Sequence, residues 1–429
     1  MQKDFLHVLS VEEVVSRLLA FPPLDCETKR LDALSKGSVL SEALLSGEDL
    51  PPADRSGMDG YAVQAADLFG ASETNPVWLD RIGEIAIDRP PNFTLQSGQC
   101  AAIVTGGHLP EGADAVIMVE HTKPFGADVI EMRRSVAPGE YVMRRGEDAK
   151  AGRSLLSAGT VLRAQETGLL AALGVTEVPV IRRPRVSILS TGDELVAPEE
   201  TPHPGQIRDV NTLALSAMIR PYAEVAAFGI APDRLEPLTA ALKAALAGDQ
   251  APADVVFLSG GSSIGVRDLT LEALQSLGDT EILCHGVALS PGKPLILARC
   301  GKTLVWGLPG QVASAQVVMH VLGVPFLRHL AGHSLASTHP QQGHAFDQTR
   351  WASRQAVLSR NIASRQGRED YIRVRLDYST PGTLPQAVPV PGLSGLLRTL
   401  LDSQGVVRIP ARLEGLEAGT PVDVLLFDS

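Results

Sequence analysis

The residues best suited to chemistry sit in short polar loops punctuated by glycine. Leu258-Ser259-Gly260-Gly261-Ser262-Ser263-Ile264-Gly265 follows the apolar run Val255 to Leu258. Glycines there let backbone N–H groups approach an anion, and a following helix offers it the positive end of its dipole. The loop reads equally as a plain tight turn, and it is not a Walker loop, because no Gly-Lys-Ser/Thr follows. Asp268 could ligate a divalent ion beside such an anion or cap the helix start. A second loop, Ser190-Thr191-Gly192-Asp193-Glu194-Leu195, follows the apolar run Val186 to Leu189. Ligands of parallel α/β sheets bind outside the carboxyl ends of the strands, so both loops are expected at one edge. Ser290-Pro291-Gly292-Lys293-Pro294 fences a lysine into a rigid turn, and Leu308-Pro309-Gly310-Gln311 joins a strand to a helix. Nearer the N-terminus, Ser56-Gly57-Met58-Asp59-Gly60-Tyr61-Ala62-Val63 presents an aspartate after the diproline Pro51-Pro52. Thr105-Gly106-Gly107 and Arg144-Arg145-Gly146-Glu147-Asp148 are two more glycine-centred loops. Each alone passes as ordinary turn chemistry.

The elements that must position these loops are legible from periodicity. Ser10 and Glu13 form a capping box ahead of Val11, Val14, Val15, Leu18 and Leu19, which predicts an amphipathic helix. Between about residues 50 and 145, short β-rich runs such as Val77 to Ile82, Ala115 to Val119 and Asp128 to Met132 alternate with turns, as in a small β-rich domain. A helix over Ala164 to Leu173 should stop at Gly174, and Val178 to Pro184 reads as a linker. From Arg185 to about His333, apolar runs at Val186 to Leu189, Val225 to Phe228, Val255 to Leu258 and Leu295 to Ala298 alternate with helical periods. That alternation predicts a parallel sheet with helices on both faces. Beyond Thr338, β-type runs at Tyr371 to Leu376, Gly405 to Ile409 and Val422 to Phe427 predict a terminal β-domain.

The chain has 429 residues, enough at roughly 150 per domain for about three domains, and 40 glycines with 30 prolines predict many defined turns. Its net charge of −11 and 4% aromatic content disfavour a nucleic-acid or anionic-membrane surface, so an anionic ligand must be held locally. Cys26, Cys100, Cys284 and Cys300 lack any C-x-x-C spacing, which argues against zinc knuckles and disulfide frameworks and fits a reducing cytoplasm. No apolar stretch of about 18 residues is present, so neither export nor membrane insertion is expected.

Taken in order, the motifs resemble the molybdopterin molybdenumtransferase (MoeA) family, whose eukaryotic relatives include the C-terminal domain of gephyrin. The resemblance rests on SGMDGYAV at 56–63, VTGG at 104–107, RRGED at 144–148, STGDEL at 190–195, GGSSIG with Asp268, PGKP at 291–294 and LPG at 308–310. It implies a multi-domain α/β plus β fold: a helical and linker domain (1–50 and 145–183), an inserted β-rich domain (51–144), a central three-layer α/β molybdopterin-binding domain (184–335) and a C-terminal β-barrel-like domain (336–429). It also implies a homodimer whose cleft sets the α/β domain of one subunit against the N-terminal loops of the other. The implied reaction takes adenylylated molybdopterin and molybdate, uses a divalent cation such as Mg²⁺, and yields molybdenum cofactor and AMP. An adenylyltransferase upstream and molybdoenzymes downstream would be its partners.

Carried across motif by motif, the resemblance implies that Gly260, Gly261, Ser262 and Gly265 line a pyrophosphate loop, with Lys293 as counter-charge. Ser190, Thr191, Gly192, Pro309 and Gly310 would complete the substrate site. Asp59, Asp148, Glu194, Asp233 and Asp268 form the implied acidic set, with Glu194 and Asp268 as metal ligands, and Asp233 reads equally as a helix cap. Thr105 and Ser394 match hydroxyl positions at the cleft. The chain departs from the family's pattern where Ser290 and Gly286 replace cations, where Gln311-Val312 replaces Asn-Pro, and where Arg55 replaces Asn. A cation lost beside a dianion costs about 1–3 kcal/mol in a partly desolvated site. Arg55 or Arg267 could restore it, or lie in solvent. Three readings follow: the transferase, a paralogue tuned to tungstate, and a non-catalytic molybdopterin-binding scaffold or insertion chaperone.

Overall fold

A computed structural model describes residues 8–260, 264–333, 352–379 and 382–427, with the side chains of 264–268 excepted. The chain divides into two compact units, one comprising 1–28, 35–41 and 179–429, the other 29–34 and 42–178.

Helix α1 (Val11–Leu19) opens the larger unit with the capping box in place: Glu13 N–H donates to Ser10 Oγ, and Ser10 N–H donates to Glu13 Oε2 at 2.7 Å. Its Val14, Val15 and Leu18 are buried and join the α/β core.

The smaller unit is built on β1 (Gly60–Val63), β2 (Val77–Glu84), β3 (Gln99–Ile103), β4 (Ala115–Met118), β5 (Thr122–Phe125) and β6 (Val129–Met132). They form one six-stranded sheet in the order β4-β1-β3-β2-β6-β5. Side chains alternate across it, so Val63, Leu79, Cys100 and Ile117 fill one core while Ala62, Ala101, Ile103 and Val116 fill another. Gly60 lies so close to β4 that a Cβ would stand 1.9 Å from the Ile117 carbonyl oxygen. Gly60→Ala is therefore expected to destabilise this unit by about 2 kcal/mol, measured by thermal denaturation. Helix α2 (Ala164–Ala172) ends before Gly174, whose φ of 67° is the left-handed cap expected there.

The α/β part of the larger unit contains β7 (Arg185–Thr191), α3 (Asn211–Ile219), β8 (Glu224–Ala231), α4 (Leu235–Ala247), β9 (Val255–Gly260), α5 (Ile264–Gln275), β10 (Thr280–His285), β11 (Ile296–Cys300), β12 (Thr303–Leu308) and α6 (Val312–Val318). The sheet order is β8-β7-β9-β12-β11-β10. Leu215 and Ile219 of α3 cover one face, and Leu238 and Leu242 of α4 with Leu274 of α5 cover the other, giving three layers. The sheet is mixed where an all-parallel one was expected: β8, β7, β9 and β12 run parallel, whereas β10 and β11 pair antiparallel. The physical reason is connection length, since only Gly301-Lys302 separates β11 from β12 and a parallel crossover needs a dozen or more residues. The boundary between the two units falls between Val178 and Pro179, inside the segment read as a linker, Val178 to Pro184, which also overlaps a strand, Glu177–Ile181, paired with Cys26–Arg30.

The C-terminal part comprises β13 (Ser353–Leu358), β14 (Glu369–Asp377), β15 (Gln386–Pro389), α7 (Arg398–Leu401), β16 (Gly405–Ile409) and β17 (Pro421–Leu426). The order β14-β15-β13-β17-β16, with β16 pairing back onto β14, closes a five-stranded barrel around Ala356, Leu358, Val374, Ala387, Val407 and Val424. The short strand Leu289–Ser290, at the mouth of the Pro-Gly-Lys-Pro turn, pairs with β14 through Leu289↔Glu369 and Ser290↔Asp370. Among the described residues no helix is long and apolar enough to cross a membrane.

Candidate functional site

At the carboxyl edge of the α/β sheet, Ser190 and Thr191 close β7 and are both buried. The Thr191 hydroxyl donates to Asp233 Oδ1 at 2.6 Å, and the Asp233 N–H donates to Asp193 Oδ1 at 3.1 Å, so the STGDEL loop and the loop after β8 are tied together. Asp233 therefore holds a loop; Arg234 occupies the N-cap of α4 without a side-chain cap bond. Gly192 is buried, and a Cβ on it would stand 2.9 Å from Glu194 Oε2. The Glu194 side chain is exposed, with no hydrogen-bond or ion-pair partner among the described residues.

Gly260 ends β9 with φ 147°, and a Cβ there would meet the Thr191 carbonyl oxygen at 2.2 Å. Close strand approach thus requires this glycine independently of any ligand. Gly261 and Ser262 lie outside the described residues; Gly265 is in the first turn of α5, and Asp268 is further along the same helix with its side chain outside the description. Lys293 is exposed and unpaired among the described residues. Its turn is fixed by Gly292 (φ 135°), where a Cβ would stand 2.4 Å from Val318 Cγ2. Pro309 is buried, and Gly310 is half-buried.

A cavity of about 550 Å³ opens where the Pro-Gly-Lys-Pro turn meets the barrel. Ser290 and Ser394 line it together with Arg360, Arg368, Arg373 and Asp370. Arg368 pairs with Asp370 at 3.0 Å, Arg360 donates to the Pro389 carbonyl, and Arg373 donates through Nη2 to the Gly392 carbonyl at 2.8 Å. Arg373 is only 8% exposed, has no carboxylate partner among the described residues, and leaves Nη1 without a hydrogen bond. Burial lowers its pKa from the ordinary guanidinium value. Three guanidiniums against one carboxylate leave the lining with an excess of two positive charges. The sequence offers Arg55 and Arg267 as replacements for the cations missing at Ser290 and Gly286. Arg55 instead bonds the Gly106 carbonyl and His108 in the smaller unit, and the Arg267 side chain is outside the description. The signal that could have found Arg373 is its parity: it lies on the face of its strand opposite Ile372, Val374 and Leu376, which fill the barrel, yet it is buried.

In the smaller unit, Asp59 Oδ1 accepts from the Thr105 N–H at 2.7 Å and from its hydroxyl at 2.8 Å. These bonds, the backbone one first, hold the Asp59 carboxyl below its ordinary pKa against a small opposing effect of burial, so it is ionised at neutral pH. Ser56 and Arg55 pair antiparallel with Val142 and Met143, so the loops carrying Asp59 and Asp148 leave opposite ends of that ribbon. Asp148 is exposed, and its N–H donates to the Leu50 carbonyl. No hydrogen bond joins it to Asp59 or Thr105 among the described residues.

Sequence reasoning missed a buried polar network at the strand ends: Asp209, Asn211, Thr212 and Ser259, all under 9% exposed. Asn211 Nδ2 donates to Ser259 Oγ at 2.6 Å and to the Gly310 carbonyl at 2.9 Å. Asp209 accepts from the N–H groups of Asn211 and Thr212 and from the Thr212 hydroxyl, which lies 2.9 Å from Ser190 Oγ. The local clue was Asp-Val-Asn-Thr at 209–212, a capping sequence at the start of a helix.

Three family profiles match the chain: "MoeA N-terminal region (domain I and II)" over residues 9–174, "Probable molybdopterin binding domain" over 187–329, and "MoeA C-terminal region (domain IV)" over 355–427. The chain is 34% identical over 395 residues to molybdopterin molybdenumtransferase 2 of Mycobacterium tuberculosis, spanning 91% of this chain and 92% of that protein. It is 30% identical over 432 residues to the molybdopterin molybdenumtransferase of Bacillus subtilis, spanning 98% and 94%. A crystal structure of a molybdopterin biosynthesis MoeA protein from Pyrococcus horikoshii superposes with a TM-score of 0.78 at 29% identity, covering 98% of this chain and all of that one. The motifs, the fold and these likenesses agree from end to end: the chain belongs to the MoeA family of molybdopterin molybdenumtransferases.

Proposed function

We propose that this protein is a molybdopterin molybdenumtransferase acting in molybdenum cofactor biosynthesis, which takes adenylylated molybdopterin and molybdate and releases AMP. The observation that carries the molybdate part is the barrel-side cavity, whose excess of two positive charges complements a dianion. Arg373 contributes most, because a guanidinium that is buried without a carboxylate partner keeps its field unscreened. The strand-edge loops would serve the other substrate, with the backbone at Ser190, Thr191 and Gly192 and the Pro309-Gly310 peptide toward the pterin and its phosphate and the exposed Lys293 as a counter-charge.

Mg²⁺ fits the donor set. Glu194 offers an exposed carboxylate without a partner among the described residues, and Mg²⁺ is commonly bound by one or two carboxylates plus substrate phosphate oxygens. Glu194 and Asp268 would hold it, and it would neutralise charge developing on the pyrophosphate. Asp59, kept ionised and oriented by Thr105, would position a water or hydroxyl through its other oxygen. The resemblance supports a homodimer in which Asp59 and Thr105 of one copy serve the strand edge of the other.

The test is direct. Purified protein, adenylylated molybdopterin, Mg²⁺ and molybdate should yield AMP and active cofactor, and absence of both overturns the proposal. Binding without cleavage supports the scaffold reading instead. Competition between molybdate and tungstate at low concentration separates a tungstate-tuned paralogue from a molybdate enzyme.

A further inference from the structure

We propose that Asn211 is a positioning residue that sets the geometry of the strand-edge loops toward the adenylylated substrate, an inference that rests on the function proposed above. Its single amide nitrogen bridges two neighbouring strand ends. Ser259 immediately precedes Gly260 on β9, Gly310 lies just beyond β12, and the two strands are in register through Ser259↔Leu308. Asp209 fixes Asn211 from behind by accepting its backbone N–H at 3.0 Å, and Thr212 carries the network on to Ser190 at the end of β7. Three residues of the four-residue stretch 209–212 at the start of α3, Asp209, Asn211 and Thr212, thus brace the ends of β7, β9 and β12, which carry three of the loops assigned to the substrate.

Stability alone does not account for this arrangement. Asn211 Oδ1 is buried without a hydrogen-bond partner among the described residues, and an unpaired buried acceptor costs stability. An apolar residue would remove that cost, so what the asparagine supplies is its donor. This chain also has Gln311-Val312 after Gly310, without a second proline to stiffen the peptide. The Asn211 bond to the Gly310 carbonyl provides the restraint by another route.

Asn211→Asp tests the brace, because it keeps the size and the backbone cap while replacing the donor with a carboxylate oxygen. That oxygen can still accept from the Ser259 hydroxyl but faces the Gly310 carbonyl acceptor to acceptor. At pH 8 the folded variant should show a KM for adenylylated molybdopterin raised about tenfold, the worth of one hydrogen bond, with kcat within about threefold. As pH falls toward the carboxyl pKa, the protonated acid can donate to the carbonyl again, so KM should return toward the wild-type value; wild type should show no such recovery. Amide hydrogen exchange in the substrate-free protein gives a readout independent of the reaction, and the Gly310-Gln311 peptide should exchange faster in Asn211→Asp at pH 8. Ser259→Ala keeps the bond to Gly310 and should leave that exchange rate unchanged. Unchanged exchange at Gly310-Gln311 in folded Asn211→Asp overturns the brace. An unchanged KM alongside faster exchange overturns its role toward substrate, whereas a wild-type protein that releases no AMP overturns the functional reading and leaves the brace to be decided by exchange.

Discussion

Arg373→Met should raise the KM for molybdate on the order of 10²-fold while leaving the melting temperature unchanged or higher. A hydrogen bond to a charged group is worth about 1.5–3 kcal/mol, and losing the charge of a desolvated guanidinium removes a favourable field as well. In the absence of the oxyanion the same residue is a burden. It is 8% exposed, has no carboxylate partner among the described residues, and burial already lowers its pKa. Methionine follows the aliphatic stem of the arginine and needs no solvation, and replacing buried charge with apolar side chains is often neutral or stabilising. Steady-state kinetics with varied molybdate, paired with calorimetry, measure both halves. A lower melting temperature with unchanged molybdate dependence would make Arg373 a structural residue of the barrel and remove the basis for the oxyanion site.

The second large effect concerns Asp59. Asp59→Asn should lower kcat by on the order of 10²-fold with little change in stability, because both Thr105 bonds can be made to an amide oxygen but the charge is gone. Glu194→Gln should be similarly impaired through weaker metal binding. If the loops of one subunit serve the strand edge of the other, equal mixtures of these two variants recover activity. Random re-association makes half of the dimers mixed, each with one of its two sites intact, so about a quarter of wild-type activity returns. A site built within one chain gives no recovery. Re-association through mild denaturant followed by an AMP-release assay distinguishes the outcomes.

Much of the fold was legible before any coordinates because its determinants are local. The Ser10–Glu13 capping box, the cap at Gly174 and the strands of the α/β sheet each announce themselves within a window of a dozen residues. The antiparallel edge was misread because an apolar run does not encode direction; only the two-residue connection at Gly301-Lys302 does. The linker reading at Val178 to Pro184 agrees with the boundary between the two compact units, which falls between Val178 and Pro179, but it missed the strand there for a related reason. Pro179 tolerates a place in a short two-stranded ribbon, and its partner strand, Cys26–Arg30, is distant in sequence.

The candidate site divides the same way. The sequence by itself determined which loops carry glycine, carboxylate and hydroxyl groups, and with them the family and the class of substrate. Only the tertiary structure decided that Thr105 orients Asp59, that Thr191 and not a helix start engages Asp233, and that Asn211 bridges Ser259 and Gly310. It alone showed that the positive charge near Ser290 comes from the barrel, through Arg360, Arg368 and Arg373. The physical reason is that residue type is a property of one position, whereas a hydrogen bond or a local field depends on partners that chain closure brings together from far along the sequence.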